Sequence, residues 1–171
     1  MKKKITLIAN DIRRIVKGKF SIVQIGPQAY NRLYAKIGNL NKLLAWGHAR
    51  VLENLLEKAP ECNLALADKF GNSSLIQNAL LGKGSRIKLH QKVRGESDTA
   101  VAAASILARD EFLRQIKKLG NEFNTVLPKG AGNKVDEKVR ELVAEYGIEI
   151  LERLGKTHFK TVSKALKQAG S

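Results

Sequence analysis

The sequence contains little that would suit a secreted, membrane-bound or disulfide-stabilised protein. One cysteine, Cys62, occurs among 171 residues, which excludes an internal disulfide framework and argues against a cysteine-based zinc site. No apolar run reaches the roughly 18 residues that a transmembrane helix needs. Polar residues interrupt the apolar pattern that follows the basic start at Met1–Lys4, so we expect no signal peptide. These absences predict a protein of the reducing cytoplasm.

Acidic and aromatic residues are also scarce. Asp and Glu number 16 against 31 Lys and Arg, which gives a net charge of +15, and aromatic residues make up 5% of the chain. Excess positive charge favours phosphate-rich partners through counterion release. Few aromatic residues disfavour a platform on which single-stranded bases stack. The composition therefore favours a protein that contacts nucleic-acid backbone, and a merely basic surface is the alternative.

The apolar content and its periodicity predict one α/β domain over residues 1–171. Apolar residues make up 43% of the sequence, enough for a core, and no repeat, linker or low-complexity tail interrupts the chain. Strands interleaved with helices, followed by a helical C-terminal third, are typical of α/β proteins. The predicted strands are 20–25, 63–68 and 86–93. The predicted helices are 3–17, 27–37, one from an Asn39 or Asn41 cap to 58, 74–81, 100–119, 134–146, a segment to 154, and 158–168.

The stretch Arg94–Thr99 and the helix after it form the centre of the pattern. From Ala100 to Ala108 every residue is apolar except Ser105. A helix that is apolar on all sides is expected to be buried on all sides, so the preceding loop with Glu96 should be firmly anchored. Acids at this position can also simply cap the helix, and the local pattern leaves both interpretations open.

A second acid, Asp68, ends the predicted strand 63–68. Acids at the carboxyl ends of buried strands often belong to functional sites in α/β proteins, although Asp68 could equally form a turn. One predicted strand separates Asp68 from Glu96, so both carboxylates could reach one edge of the sheet. Such a pair suits Mg²⁺, which prefers oxygen ligands, and two-metal phosphodiester hydrolysis. Two acids are too few to hold two ions alone.

Five stretches, in order, resemble ribonuclease HIII, a bacterial type 2 ribonuclease H. They cover nearly the whole chain: Tyr30–Ala49, Ala67–Phe70, Arg94–Ser97 with Val101–Arg109, Leu127–Gly132 and Lys156–Phe159. The resemblance implies a ribonuclease H-like mixed sheet flanked by helices. It also implies hydrolysis of the RNA strand of RNA/DNA hybrids, with Mg²⁺ or Mn²⁺ held by four carboxylates in the order Asp-Glu-Asp-Glu. The third carboxylate falls on Asp68 and the fourth on Glu96. Candidate nucleic-acid contacts are Asn41, Lys42, Ser105, Arg109 and Lys129.

The sequence departs from the family pattern in one respect. The family's first strand bears adjacent Asp and Glu followed by a Gly-Lys-Gly loop, and no such combination occurs in these 171 residues. The Asp-Glu pairs that do occur, Asp110-Glu111 and Asp136-Glu137, lie on predicted helices. We therefore expect this chain to supply half of the carboxylates and to show little hydrolysis alone. We also expect open sheet edges that pair with a missing N-terminal segment or with a second copy.

Two other functions fit the composition. A non-catalytic module that binds hybrid duplexes would keep the basic surface without the chemistry. A basic structural protein of a ribonucleoprotein particle would show no preference for hybrids over other duplexes, and the shortage of lysine-rich tails argues against it.

Overall fold

The computed structural model describes residues 2–169, and the side chains of residues 3–165. Within that range the chain forms eight α-helices and two β-strands, so the predicted α/β class and the helical C-terminal third are confirmed. None of the described helices is both long and apolar enough to span a membrane. The helices are α1 Lys2–Ile15, α2 Pro27–Ile37, α3 Leu40–Lys58, α4 Ser74–Ala79, α5 Thr99–Glu122, α6 Asn133–Tyr146, α7 Ile150–Leu154 and α8 Lys160–Ala169; the strands are β1 Leu64–Asp68 and β2 Lys88–Lys92.

The two strands pair in parallel, with Asp68 of β1 opposite Lys92 of β2. Helix α4 lies in the connection between them, and α3 packs against α4. One face of the sheet contributes Ala65, Ala67 and Leu89 to apolar clusters with residues of α3 and α4. Exposed residues alternate along β2, which gives it a polar and basic face at Lys88, His90 and Lys92.

The predicted strand 20–25 is wrong, because this segment has no regular secondary structure. A strand exists through its hydrogen-bonded partner, and residues 21–25 make no backbone–backbone hydrogen bond with any described residue. Side chains hold the segment instead. Lys58 Nζ donates to the carbonyl oxygen of Phe20 at 2.8 Å, and Gln24 Nε2 donates to Glu111 Oε1 at 2.7 Å. The alternating pattern was compatible with a strand, but pairing depends on residues distant in sequence.

The prediction that α5 begins buried on all sides is also wrong. Val101 and Leu107 are buried, whereas Ala100, Ala104 and Ala108 are exposed on another face of the helix. Ser105 is exposed as well. Apolar composition permits burial without requiring it, and a small alanine side chain exposes little apolar surface.

Glu53 of α3 fixes the chain just before β2. Its carboxylate accepts hydrogen bonds from the backbone N–H groups of Leu81 at 2.7 Å, Gly84 at 2.8 Å and Lys83 at 3.2 Å. Glu53 is 9% exposed, and buried carboxylates require such partners. A Cβ atom at Gly84 would lie 2.6 Å from Glu53 Oε1, so a glycine is needed there for this close approach.

The chain divides into two compact units. The first comprises Met1–Gln24 and Asn39–Leu113, and the second comprises Ile25–Gly38 and Arg114–Ser171. The sheet and its clusters belong to the first unit. The second has its own apolar core, formed by Phe123, Leu142, Ile150, Leu151 and Val162. The single domain over residues 1–171 stays a prediction.

Candidate metal and nucleic-acid site

The structure places the loop that contains Glu96 against the end of β1. The Gly95 N–H donates a hydrogen bond to Asp68 Oδ1 at 2.9 Å. A Cβ atom at Gly95 would lie only 3.0 Å from Asp68 Cα, so the close approach requires glycine. Arg94 makes the turn that precedes it, with a left-handed φ of 55°. Sequence reasoning missed the contribution of Gly95, although a glycine directly before the candidate acid was an available signal.

Asp98, and not Glu96, caps helix α5. Asp98 Oδ1 accepts from the N–H groups of Ala100 at 2.8 Å and Val101 at 3.4 Å, the usual arrangement of an N-cap. Glu96 is exposed, and its side chain forms no hydrogen bond or ion pair with any residue that the structure describes. The capping alternative therefore accounts for Asp98 and leaves the Glu96 carboxylate available to an external partner.

Basic and aromatic side chains surround Asp68. Lys92 lies opposite Asp68 in the strand ladder, and its Nζ donates to Ser97 Oγ at 3.3 Å. The His48 ring stacks on Phe70, with 5.1 Å between centroids. The neighbouring atoms displace water and lower the pKa of His48 although its side chain keeps solvent contact, and the Asp68 carboxylate opposes this by raising it.

The N-terminus of α3 lies beside the loop that follows Asp68. Asn39 caps the helix by accepting the Lys42 N–H at 3.0 Å, so the cap prediction is confirmed for Asn39 and is wrong for Asn41. Asn41 lies inside the helix, and its Nδ2 would be 3.4 Å from a Cβ atom at Gly71. Asn41 and Lys42 are both exposed, which leaves their side chains accessible to a backbone phosphate.

The remaining candidate contacts lie on two different elements. Ser105 and Arg109 are one helical turn apart on α5, and both are exposed, so burial does not explain Ser105. The Arg109 guanidinium lies 5.2 Å from the Phe112 ring centroid. Lys129 is exposed in the loop before α6 and belongs to the second compact unit.

The role of Asp68 and Glu96 as ligands of a divalent metal stays a prediction. Carboxylate oxygens are suitable ligands for Mg²⁺ and Mn²⁺, but no group of three or more His, Cys, Asp or Glu that could hold a metal occurs among the described residues. Asp110, from one of the Asp-Glu pairs, does not enlarge the set. It is 0% exposed and pairs with Arg13 at 2.9 Å, a structural role within the first unit.

Comparisons with known proteins agree on one family. A family model described as Ribonuclease HII matches residues 1–162. Ribonuclease HIII of Chlamydia pneumoniae is 46% identical over 141 residues, which cover 82% of this chain and 47% of that protein. Ribonuclease HIII of Chlamydia trachomatis serovar L2 is 40% identical over 164 residues, which cover 95% of this chain and 54% of that protein. The chain thus spans about half the length of the curated relatives it matches.

Solved structures show the same likeness. A crystal structure of Bst-RNase HIII in complex with Mn²⁺ superposes with a TM-score of 0.76 at 31% identity, covering 85% of this chain and 49% of that one. A crystal structure of Aquifex aeolicus RNase H3 gives a TM-score of 0.65 at 26% identity, covering 94% of this chain and 56% of that one.

Proposed function

We propose that this chain, which belongs to the ribonuclease HII family and has the ribonuclease HIII relatives that its motifs predicted, takes part in divalent-metal-dependent hydrolysis of the RNA strand of RNA/DNA hybrids. The observation that most directly supports this is the 2.9 Å hydrogen bond from Gly95 to Asp68, which holds the Glu96 loop at the end of β1. Asp68 and Glu96 are both exposed, and carboxylates are suited to Mg²⁺ or Mn²⁺. The net charge of +15 suits a polyanionic substrate.

Asp68 and Glu96 would be metal ligands in this reaction. In two-metal hydrolysis, the bound ions activate a water molecule and stabilise the leaving oxygen. The Gly95 N–H orients the Asp68 carboxylate, and Glu96 has no competing partner among the described residues. The candidates for contacts with the substrate backbone, which position a nucleic acid without reading its sequence, are Asn41, Lys42, Ser105, Arg109 and Lys129.

We further propose that this chain supplies half of the carboxylates and that another polypeptide segment completes the site and the sheet. The described residues contain only two strands, and parallel sheets in α/β proteins are usually covered on both faces. Residues 21–25 carry backbone N–H and C=O groups that have no backbone partner among the described residues, and such edges accept additional strands. The added segment would be a region like the part of the curated relatives that this chain does not match, or a second copy of the chain.

A cleavage assay with a fluorescent RNA/DNA hybrid tests the proposal. The chain alone is expected to show little or no hydrolysis. Adding the part of the Chlamydia pneumoniae relative that this chain does not match should produce cleavage that depends on Mg²⁺ or Mn²⁺. Asp68→Asn or Glu96→Gln should then reduce the rate by more than about a hundredfold, because outer-shell groups alone contribute about 10–100-fold. Strong cleavage by the chain alone would refute the proposal that it supplies only half of the carboxylates. No cleavage by the mixture would refute the nuclease function.

A non-catalytic hybrid-binding module is the second candidate. It is favoured by the basic charge together with the shortage of metal ligands among the described residues. Hybrid binding that survives both Asp68→Asn and Glu96→Gln, with no cleavage by the mixture at any metal concentration, would support this function over the nuclease.

A further inference from the structure

In the second unit, Lys156 lies in the turn between α7 and α8, and Asn31 of α2 holds the peptide on both sides of it. Asn31 Nδ2 donates to the carbonyl oxygens of Gly155 at 3.0 Å and Glu152 at 3.2 Å. Asn31 Oδ1 accepts from the Thr157 N–H at 3.1 Å. Lys156 therefore projects from a backbone that a single side chain fixes at three points.

The Lys156 ammonium group lies over two aromatic rings and lacks a carboxylate partner. Its Nζ is 4.4 Å from the Tyr30 ring centroid and 5.7 Å from that of Phe159, within the range of cation–π contacts. No described Asp or Glu forms an ion pair with it. The surrounding protein lowers the pKa of Lys156 because the charged amine loses hydrating water. An external anion would stabilise such a cation.

Two neighbouring polar groups also lack partners. Tyr30 is 4% exposed, and neither its hydroxyl nor the buried Nδ1 of His158 has a hydrogen-bond partner among the described residues. The His158 ring stacks on Tyr34 at 3.9 Å and on Tyr30 at 5.5 Å. Buried polar groups normally have partners. The cluster thus places an exposed lysine beside two buried polar groups whose hydrogen-bonding capacity is unused.

We propose that Lys156 binds a phosphate group of the nucleic-acid backbone, with Asn31 holding its turn, the Tyr30 ring against its ammonium group and His158 stacked on that ring. That the phosphate belongs to a nucleic acid rests on the proposed function. Free diphosphate offers the same phosphate oxygens and would bind at the same site. The alternative is that Lys156 has only a structural role and stabilises the turn through its cation–π contact with Tyr30. Asn31 already holds this turn by donating two hydrogen bonds and accepting a third, so the turn does not need the ammonium group.

The first test measures binding of a labelled hybrid in EDTA, where no cleavage occurs. Lys156→Gln is expected to weaken binding about tenfold, as for loss of a charged hydrogen bond, and to lower the salt-dependence slope by about 0.9. Lys156→Arg should bind within about threefold of wild type. Lys118→Gln removes the same charge from an exposed lysine of α5 and should cost no more than about twofold. Equal losses for Lys156→Gln and Lys118→Gln, with unchanged circular dichroism, would overturn the inference.

The second test is independent of the hybrid. The Hε1 resonance of His158, assigned with a His158→Asn variant, is followed by NMR as sodium diphosphate is added. A shift in wild type that disappears in Lys156→Gln supports the site, and no shift, or a shift that persists in Lys156→Gln, overturns it. A wild-type chain that binds diphosphate at Lys156 but no hybrid would refute the proposed function while leaving the phosphate site intact.

Discussion

Glu96 and Asp98 are two acids in one short loop, and their surroundings separate their roles. Asp98 accepts backbone N–H groups at the start of α5, whereas Glu96 is exposed without a described partner. The sequence located both acids but could not say which one caps the helix. That outcome depends on the left-handed turn at Arg94 and the contact of Gly95 with Asp68, which arise only when β1 and β2 are side by side.

Separate substitutions of Asp98 and Glu96 should distinguish an effect on stability from an effect on metal binding. Asp98→Ala is expected to lower the free energy of unfolding by about 0.5–2 kcal/mol, because the helix loses its cap. Glu96→Gln should change it by no more than about 0.5 kcal/mol, as is usual for exposed positions, while weakening Mn²⁺ binding by the complemented protein. Urea denaturation and calorimetric Mn²⁺ titration measure the two effects. A larger stability loss for Glu96→Gln than for Asp98→Ala would assign the cap to Glu96.

At the scale of elements, local signals predicted boundaries well and distant pairing poorly. Helix α2 begins at Pro27 and ends before Gly38, which has the left-handed φ of 65° that favours glycine. Strands 63–68 and 86–93 were predicted with slightly wider bounds than β1 and β2. The strand prediction for 20–25 was wrong because the alternating pattern is local, whereas a strand requires a hydrogen-bonded partner strand. The prediction that the α5 face at Ala104 is buried was wrong for a related reason, since the composition of a helix does not determine which of its faces is covered by a neighbour.

The contact between α3 and the chain before β2 depends on one buried carboxylate. Glu53→Gln is expected to destabilise the protein by about 1–3 kcal/mol, because an amide nitrogen would replace one acceptor among three N–H donors and leave a buried donor unsatisfied. Glu57→Gln is the matched control, one helical turn further along α3. Glu57 has a 62% exposed side chain that pairs with Lys83 at 3.1 Å, so its loss should cost no more than about 1 kcal/mol.

Chemical denaturation monitored by circular dichroism measures both variants. Equal losses for Glu53→Gln and Glu57→Gln would show that the three hydrogen bonds of Glu53 contribute no more than a surface ion pair. The same comparison bears on the site, because the chain that Glu53 holds leads directly into β2 and the Gly95 contact with Asp68.

At the scale of the whole molecule, the described sheet is small for the chain that carries it. Two strands alone are marginally stable in water, and here α3 and α4 support one face. The sequence predicted open edges from the lack of a first Asp-Glu strand. The backbone of residues 21–25 makes no backbone hydrogen bond within the part of the chain that the structure describes, which is compatible with that expectation. What the sequence could not show is that this segment would remain beside α3 and α5 through Lys58 and Gln24.

Association is therefore expected to depend on residues 21–25. The chain alone should self-associate in analytical ultracentrifugation or melt without a single cooperative transition. Adding the unmatched part of the Chlamydia pneumoniae relative should give one transition at higher temperature, since binding stabilises the folded state.

Val23→Pro should abolish this gain in melting temperature, because proline removes a backbone N–H that a partner strand would need. It should also weaken self-association through this segment, but it should leave the circular dichroism of the uncomplemented chain little changed, because the Val23 N–H makes no backbone hydrogen bond with a described residue. Val23→Ala, the matched control, keeps that N–H and should retain the gain. If the chain alone is a monomer that melts cooperatively, and the added fragment does not change its melting temperature, the prediction of an open sheet edge is wrong.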